Sequence, residues 1–259
     1  MFFVRERFAH VSQKQARHSL WANMRMTFRN RPFLLLISIT VLYSLGNNID
    51  STLNFFTIVY HACGGDTVLA AKINGFCGTA SIIATILTLP FFRWYARRFG
   101  KHNTVVLTLG MLVLANLATL VFYTPSNPYL AIIPAIMTSP AIAGVWVILP
   151  SLTGDVVDYD ELQTSERREG AFASIFSWIL KLAWAVATGL AGPLVEWAGY
   201  RPELREAMPP EAVQNYRYLG ALIPLIFLIP GMILAYRFPL TQARIDENRR
   251  LLEARRGAL

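Results

Sequence analysis

The side chains able to do chemistry in this sequence fall into two polar rhythms set in otherwise apolar stretches. Thr40, Tyr43, Asn47, Asp50, Asn54, Thr57 and His61 follow one another at alternating steps of three and four residues. That spacing puts them on one face of an α-helix. Ser174, Ser177, Lys181, Trp184 and Thr188 repeat the pattern. Hydroxyls, amides, one carboxylate and one ammonium in this arrangement suit the binding of a polar solute or ion. A membrane metalloenzyme would instead present His, Asp or Glu ligands at i and i+4. His10, His18, His61 and His102 form no such pair. The sequence therefore predicts a protein that is not an enzyme, with no metal ligands in this chain and no organic cofactor.

Lys181 is the most constrained of these residues. It lies ten residues beyond Ala171 in a stretch with no other charge up to Val195, roughly 15 Å along a helix at 1.5 Å per residue. From there an ammonium reaches an interface only with difficulty, and burying it costs at least about 2.5 kcal/mol. A substrate-facing or ion-paired role is expected. Asp50 sits toward the outer third of its stretch, where it either serves the interior or meets external water. Trp146, four residues before Pro150, offers a flat face on which the C–H surface of a sugar can stack. Core packing or an interfacial position accounts for it equally well on spacing alone.

The elements that hold these residues are long apolar segments. Of 259 residues, 54% are hydrophobic and only 15% charged, whereas a soluble domain carries about a quarter charged residues. Charge-free runs of bilayer length, with Thr124-Pro125-Ser126-Asn127-Pro128 dividing the longest of them, give six spans: 33–60, 68–92, 103–123, 129–152, 170–195 and 216–238. The prolines of the fourth span (Pro134, Pro140, Pro150) and of the sixth (Pro224, Pro230) predict kinked or locally unwound helices there. Cys63 and Cys77 supply neither a disulfide framework nor a metal knuckle. Only four residues precede the first charged side chain in MFFVRERFAH, too few for a signal peptide.

An even number of spans places both ends on one side. Nineteen of the 24 Lys and Arg residues fall in the 1–31 segment, the 92–102 and 153–169 connections and the tail. By the positive-inside rule both termini are cytoplasmic in a cell membrane. Orientation thus accounts for the net charge of +8, and no nucleic-acid partner is expected.

The connection read at 153–169 is strongly acidic, with Asp155, Asp158, Asp160, Glu161, Glu166 and Glu169 against Arg167 and Arg168. Facing the basic connection that holds Arg93, Arg97, Arg98 and Lys101 on the same side, it suggests an ionic latch able to hold one conformation and release another. The run Asp155, Asp158, Tyr159, Glu161, followed by Arg167 and Glu169, preceded nine residues earlier by Trp146 and followed by Lys181, resembles the glycoside-pentoside-hexuronide:cation symporters. These are the melibiose permease group of the major facilitator fold. Phe2-Phe3-Val4-Arg5-Glu6-Arg7 looks like the end of that family's sixth helix, and Asn30-Arg31-Pro32-Phe33 like the start of its seventh.

The resemblance implies an all-α polytopic membrane protein, here one six-helix half, an inverted 3+3 repeat, of a major facilitator fold. Its divisions would be a cytoplasmic inter-half linker over 1–31, a six-helix bundle over 32–238 and a cytoplasmic tail over 239–259. It implies a sugar or glycoside bound between two halves, with Na⁺ or H⁺ as the coupling cation held mainly by an amino-terminal half absent from this chain. Trp146 would contact sugar and Lys181 would lie beside the sugar and cation sites. Ser177, Asn47, Asp50 and Asn54 join them as substrate-binding candidates from the polar rhythms. Asp155, Asp158, Glu161, Arg167 and Glu169, with Arg97 and Arg98 opposite, form the candidate cytoplasmic gate. Other readings are a transporter of the same fold for a lipid or other amphiphile, a split-gene product, and a truncated fragment without activity.

Overall fold

The computed structural model describes residues 27–200 and 208–257. The amino-terminal motif at Phe2–Arg7, most of the 1–31 linker and the basic residues Arg201 and Arg205 lie outside the described residues. Among the described residues are seven α-helices: α1 Arg31–Phe56, α2 Thr67–Phe99, α3 Lys101–Phe122, α4 Ile132–Thr164, α5 Glu169–Trp197, α6 Pro210–Tyr236 and α7 Gln242–Gly257. The first six are long and apolar enough to cross a membrane, and each is matched to one expected span.

Local chemistry sets their ends. Asn30 caps α1 by accepting from the Phe33 amide at 3.1 Å, with Pro32 in the first turn, a combination that favours helix starts. Asp66 caps α2 through the amides of Val68 and Leu69, both at 2.9 Å. Gly100, at φ 92°, lets α2 break directly into α3, a conformation that side chains with a Cβ rarely adopt.

Helix contacts run in the order α5, α1, α6, α3, α4, α2. This leaves α1 central and α2 peripheral: 56% of the most apolar window of α1 is covered, against 17% for α2. Small residues make the close crossings, as they must where apolar burial cannot drive helices together. A Cβ on Gly144 would fall 2.6 Å from Thr108 Cγ2, and one on Gly46 would fall 3.2 Å from the Pro224 carbonyl. Ala183, Ala187 and Ala191 recur every fourth residue as the buried stripe of α5, which packs on α1.

Two expectations are corrected. The segment read as a 153–169 connection is helical as far as Thr164, and the true connection is Ser165–Arg168. Ser165, at φ 61°, ends α4 by donating its amide to the Glu161 carbonyl, as a left-handed cap does. The helix can extend because Asp155 and Asp160 are buried against basic partners, so the run is a helix end and not a solvated loop. Secondly, α4 stays helical through Pro140 and Pro150, as α6 does through Pro224 and Pro230, so neither is locally unwound at these prolines. The local departures lie elsewhere, in a π-turn at Thr57–Ala62 that extends α1 and a 3-10 turn at Pro128–Ala131 that leads into α4. Packed neighbours let a membrane helix absorb the bond a proline removes.

Candidate binding cavity and helix-end ion pairs

The first polar rhythm faces inward. Thr40, Tyr43, Asp50 and Thr57 are buried, while Asn47, Asn54 and His61 are partly so. Asn47, Asp50 and Asn54 open onto a cavity of about 360 Å³ whose far walls carry Asn74 of α2, Tyr123 beyond α3, and Thr138 and Ser139 of α4. The Tyr123 hydroxyl donates to Asn54 Oδ1 at 2.6 Å, fixing the amide in place. Asp50 is only 7% exposed, and its Oδ1 is buried without a hydrogen-bond partner.

The second rhythm faces away from the core of this chain. Because the alanine stripe of α5 is spent on α1, Ser174, Ser177, Lys181, Trp184 and Thr188 are all exposed. Lys181 therefore does not point into the interior of this six-helix bundle. Lys181 makes no described ion pair or hydrogen bond. Trp184, one turn on from Lys181, meets Trp146 edge-to-face with centroids 6.2 Å apart. Trp146 in turn meets Tyr43 at 6.3 Å. The aromatic chain thus leads from the α5 face to the inward rhythm of α1. Trp146 also follows the cavity residues Ser139 and Ile142 on one face of α4, at steps of three and four. The structure accordingly brings together Trp146 with Trp184, and separately Asn47, Asp50 and Asn54. Ser177 and Lys181 lie on the α5 face that joins the first group.

Ion pairs gather at the Thr164 end of α4. Asp155, 4% exposed, pairs with Lys101 at the start of α3 and lies 3.6 Å from Arg249 of α7. Arg167 holds Glu169 at 2.9 Å and Glu161 at 3.6 Å. The hydrogen-bonded Glu169 carboxylate chiefly raises the Arg167 guanidinium above its ordinary value. Asp158 is half-buried and enters none of the described ion pairs. Arg97 and Arg98 are exposed and enter none of the described ion pairs either. At the last turn of α2 their side chains project into solvent, and Lys101, one helix on, takes the contact.

Sequence reading missed the most buried pair. Arg168 binds Asp160 with Nη2 at 2.6 and 2.8 Å and Nε at 3.1 Å, and Asn30 Nδ2 donates to the same carboxylate at 3.1 Å. The two side chains are only 7% and 5% exposed. Phe172 lies beneath the guanidinium at 5.9 Å. The capping residue of α1, the end of α4 and the start of α5 are thereby tied at one point. Asn30 caps α1 and also makes this second, distant bond, which local sequence does not signal.

Comparison with known proteins fits this architecture. A family model described as MFS/sugar transport protein matches residues 1–242. The chain is 24% identical to the sodium-dependent lysophosphatidylcholine symporter 1 of Xenopus tropicalis over 91% of its own length and 43% of that protein. It is 28% identical to an uncharacterized symporter of Synechocystis over 91% of its length and 43% of the relative. To the glucuronide carrier protein homolog of Escherichia coli it is 27% identical, over 90% of its length and 49% of the relative. The chain thus spans less than half the length of these curated relatives. With six apolar membrane-length helices and a family model matching nearly its whole length, the chain is a multi-pass membrane protein belonging to the MFS/sugar transport protein family.

Proposed function

We propose that this chain supplies one six-helix half of a secondary transporter that moves a sugar or glycoside with a monovalent cation. The observation that carries the reading is the cavity lined by Asn47, Asp50, Asn54, Thr138 and Ser139, linked through Tyr43 to the Trp146–Trp184 pair. Amide and hydroxyl groups satisfy the hydroxyls of a sugar, and indole faces cover its C–H surface. Lys181 and Ser177 extend the polar surface on α5. A lipid tail would leave the polar groups of that cavity unpaired, at a cost for each.

The outward faces of α2 and α5 support a partner half. Ile82, Ile83, Ile86 and Leu87 of α2 and Trp178, Leu182 and Trp184 of α5 are all exposed, and alternating access requires two repeats moving about a site between them. On this reading 1–31 links the halves, 32–238 forms the bundle and 239–259 the tail. The basic ends support a cytoplasmic position for both termini. Asp155, Asp158, Glu161, Arg167 and Glu169 then sit at the cytoplasmic mouth as a gate.

A second reading, an amphiphile as solute, is favoured by the relatives named for lysophosphatidylcholine. Tryptophan fluorescence of the purified protein separates the two. Titration with a glucuronide or galactoside should give a saturable change that is lost in Trp146→Ala. Saturation by lysophosphatidylcholine with no glycoside response would favour the amphiphile.

A further inference from the structure

Asp50 has a feature that a solute contact alone does not explain. It is a carboxylate within a membrane-length helix, 7% exposed, with Oδ1 wholly buried and without a hydrogen-bond partner. A bare charge in that position is disfavoured by loss of water and must be neutralised or paired. No cation among the described residues does so. None of the described ion pairs includes Asp50, and the cavity lining holds no Lys, Arg or His. Arg217 and His61, which neighbour one another, are absent from that lining, and Arg217 donates to the Leu120 carbonyl at 2.7 Å. Besides Asp50 the titratable groups on the cavity are Tyr123 and Cys77, neither of them a cation at neutral pH.

Around the carboxylate are neutral polar groups, and the Asn54 side chain is hydrogen-bonded to it. Asn47 precedes Asp50 by one turn, Asn54 follows it by one turn, and Thr138 and Ser139 line the same cavity from α4. Tyr123 holds the Asn54 amide in one orientation. Hard oxygen donors around one carboxylate suit a small monovalent ion, which one negative charge neutralises.

We propose that Asp50 is the anionic centre of a monovalent-cation site within this chain, taking Na⁺ or H⁺. Asn47, Thr138 and Ser139 furnish its neutral oxygens. The inference deepens the cation-coupled reading given above, on which it rests. It also departs from what the family resemblance implies, namely that coupling carboxylates lie in the other half. Because the site shares its cavity with the solute surface, ion and solute would meet in one aqueous space, and a site closed around both couples them without long-range relay.

The experiment is ²²Na⁺ binding to the protein purified into lipid nanodiscs, with infrared spectroscopy of the same samples across pH. For a sodium site, binding is saturable and falls at least tenfold in Asp50→Asn, survives in Asp50→Glu with weakened affinity, and is unchanged in Glu211→Gln, an exposed acid on α6. For a proton site, sodium does not bind, but a protonated-carboxyl band titrates with pH and is missing in Asp50→Asn. Should Asp50→Asn fail to fold, Thr138→Val with Ser139→Ala must weaken sodium binding or shift the carboxyl band. Sodium binding unaffected by both sets of variants overturns the site, and so does the absence of sodium binding together with the absence of an Asp50 band. Gradient-driven uptake is measured separately. Asp50-dependent binding without uptake would retain the site and reject the transport reading, while uptake with unaltered coupling in Asp50→Asn would do the reverse.

Discussion

Arg168 grips Asp160 with Nε and Nη2 at 2.6–3.1 Å while Asn30, 130 residues earlier in the chain, donates to the same carboxylate. Both charged partners are buried, so this point ties α1, α4 and α5 together beneath the gate residues. Removing one partner leaves the other buried and uncompensated, which costs about 3–5 kcal/mol. Arg168→Met and Asp160→Leu should each lower the thermal midpoint in detergent sharply, and the double variant should lose much less than the two single losses combined. Additive losses would mean that the pair is not coupled.

Trp146 has ring partners on two sides, Tyr43 and Trp184. Trp146→Phe keeps an aromatic face and should weaken glycoside binding less than Trp146→Ala does, by roughly tenfold for the latter if stacking is worth about 1.4 kcal/mol. Equal affinities in a fluorescence or calorimetric titration would assign Trp146 to packing.

Lys181 lies on the exposed face of α5. Lys181→Ala should therefore leave insertion and thermal stability intact while abolishing accumulation of solute. Uptake by proteoliposomes, scaled to the amount inserted, checks this. Unchanged accumulation would place Lys181 outside the solute path.

The helix end carries the gate prediction. Asp155 is shared by Lys101 and Arg249, and Arg167 by Glu161 and Glu169. Pairs exposed on one side are worth about 0.2–1 kcal/mol each, and a latch acts only through its different stability in two states. Asp158→Asn alone should change little, whereas neutralising Asp155, Asp158 and Glu161 together should raise cytoplasmic labelling of cysteines placed at Asn47 and Thr138, both on the cavity. The effect should be largest at low ionic strength. Labelling rates equal to the parent's under those conditions would remove the gate role.

The sequence revealed the helices and the inward rhythm of α1 because both depend on periodicity and apolar length, properties local to the chain. Asn47, Asp50 and Asn54 were readable as one face for the same reason. The facing of Lys181 was not, because polar spacing marks a face without saying what stands opposite, and the alanine stripe of α5 had already claimed α1. The acidic run reads as a connection because charge usually marks solvent. Its burial depends on Lys101, Arg168 and Arg249, residues 8 to 94 positions away along the chain. Asn30 illustrates the same limit, since its cap bond is local and its bond to Asp160 is not.

The central claim, cation-coupled movement of a sugar-like solute, is tested most directly by uptake into proteoliposomes containing the protein purified from its native membrane. A radiolabelled glucuronide or galactoside is offered outside under an imposed inward Na⁺ gradient, an inward H⁺ gradient, or neither, with labelled lysophosphatidylcholine in parallel. The account predicts glycoside accumulation above the external concentration with one of the two gradients, collapse of that accumulation when the gradient is dissipated, and its loss in Lys181→Ala. Equilibration of glycoside that is indifferent to either gradient, or gradient-driven uptake of the lysolipid alone, would contradict it.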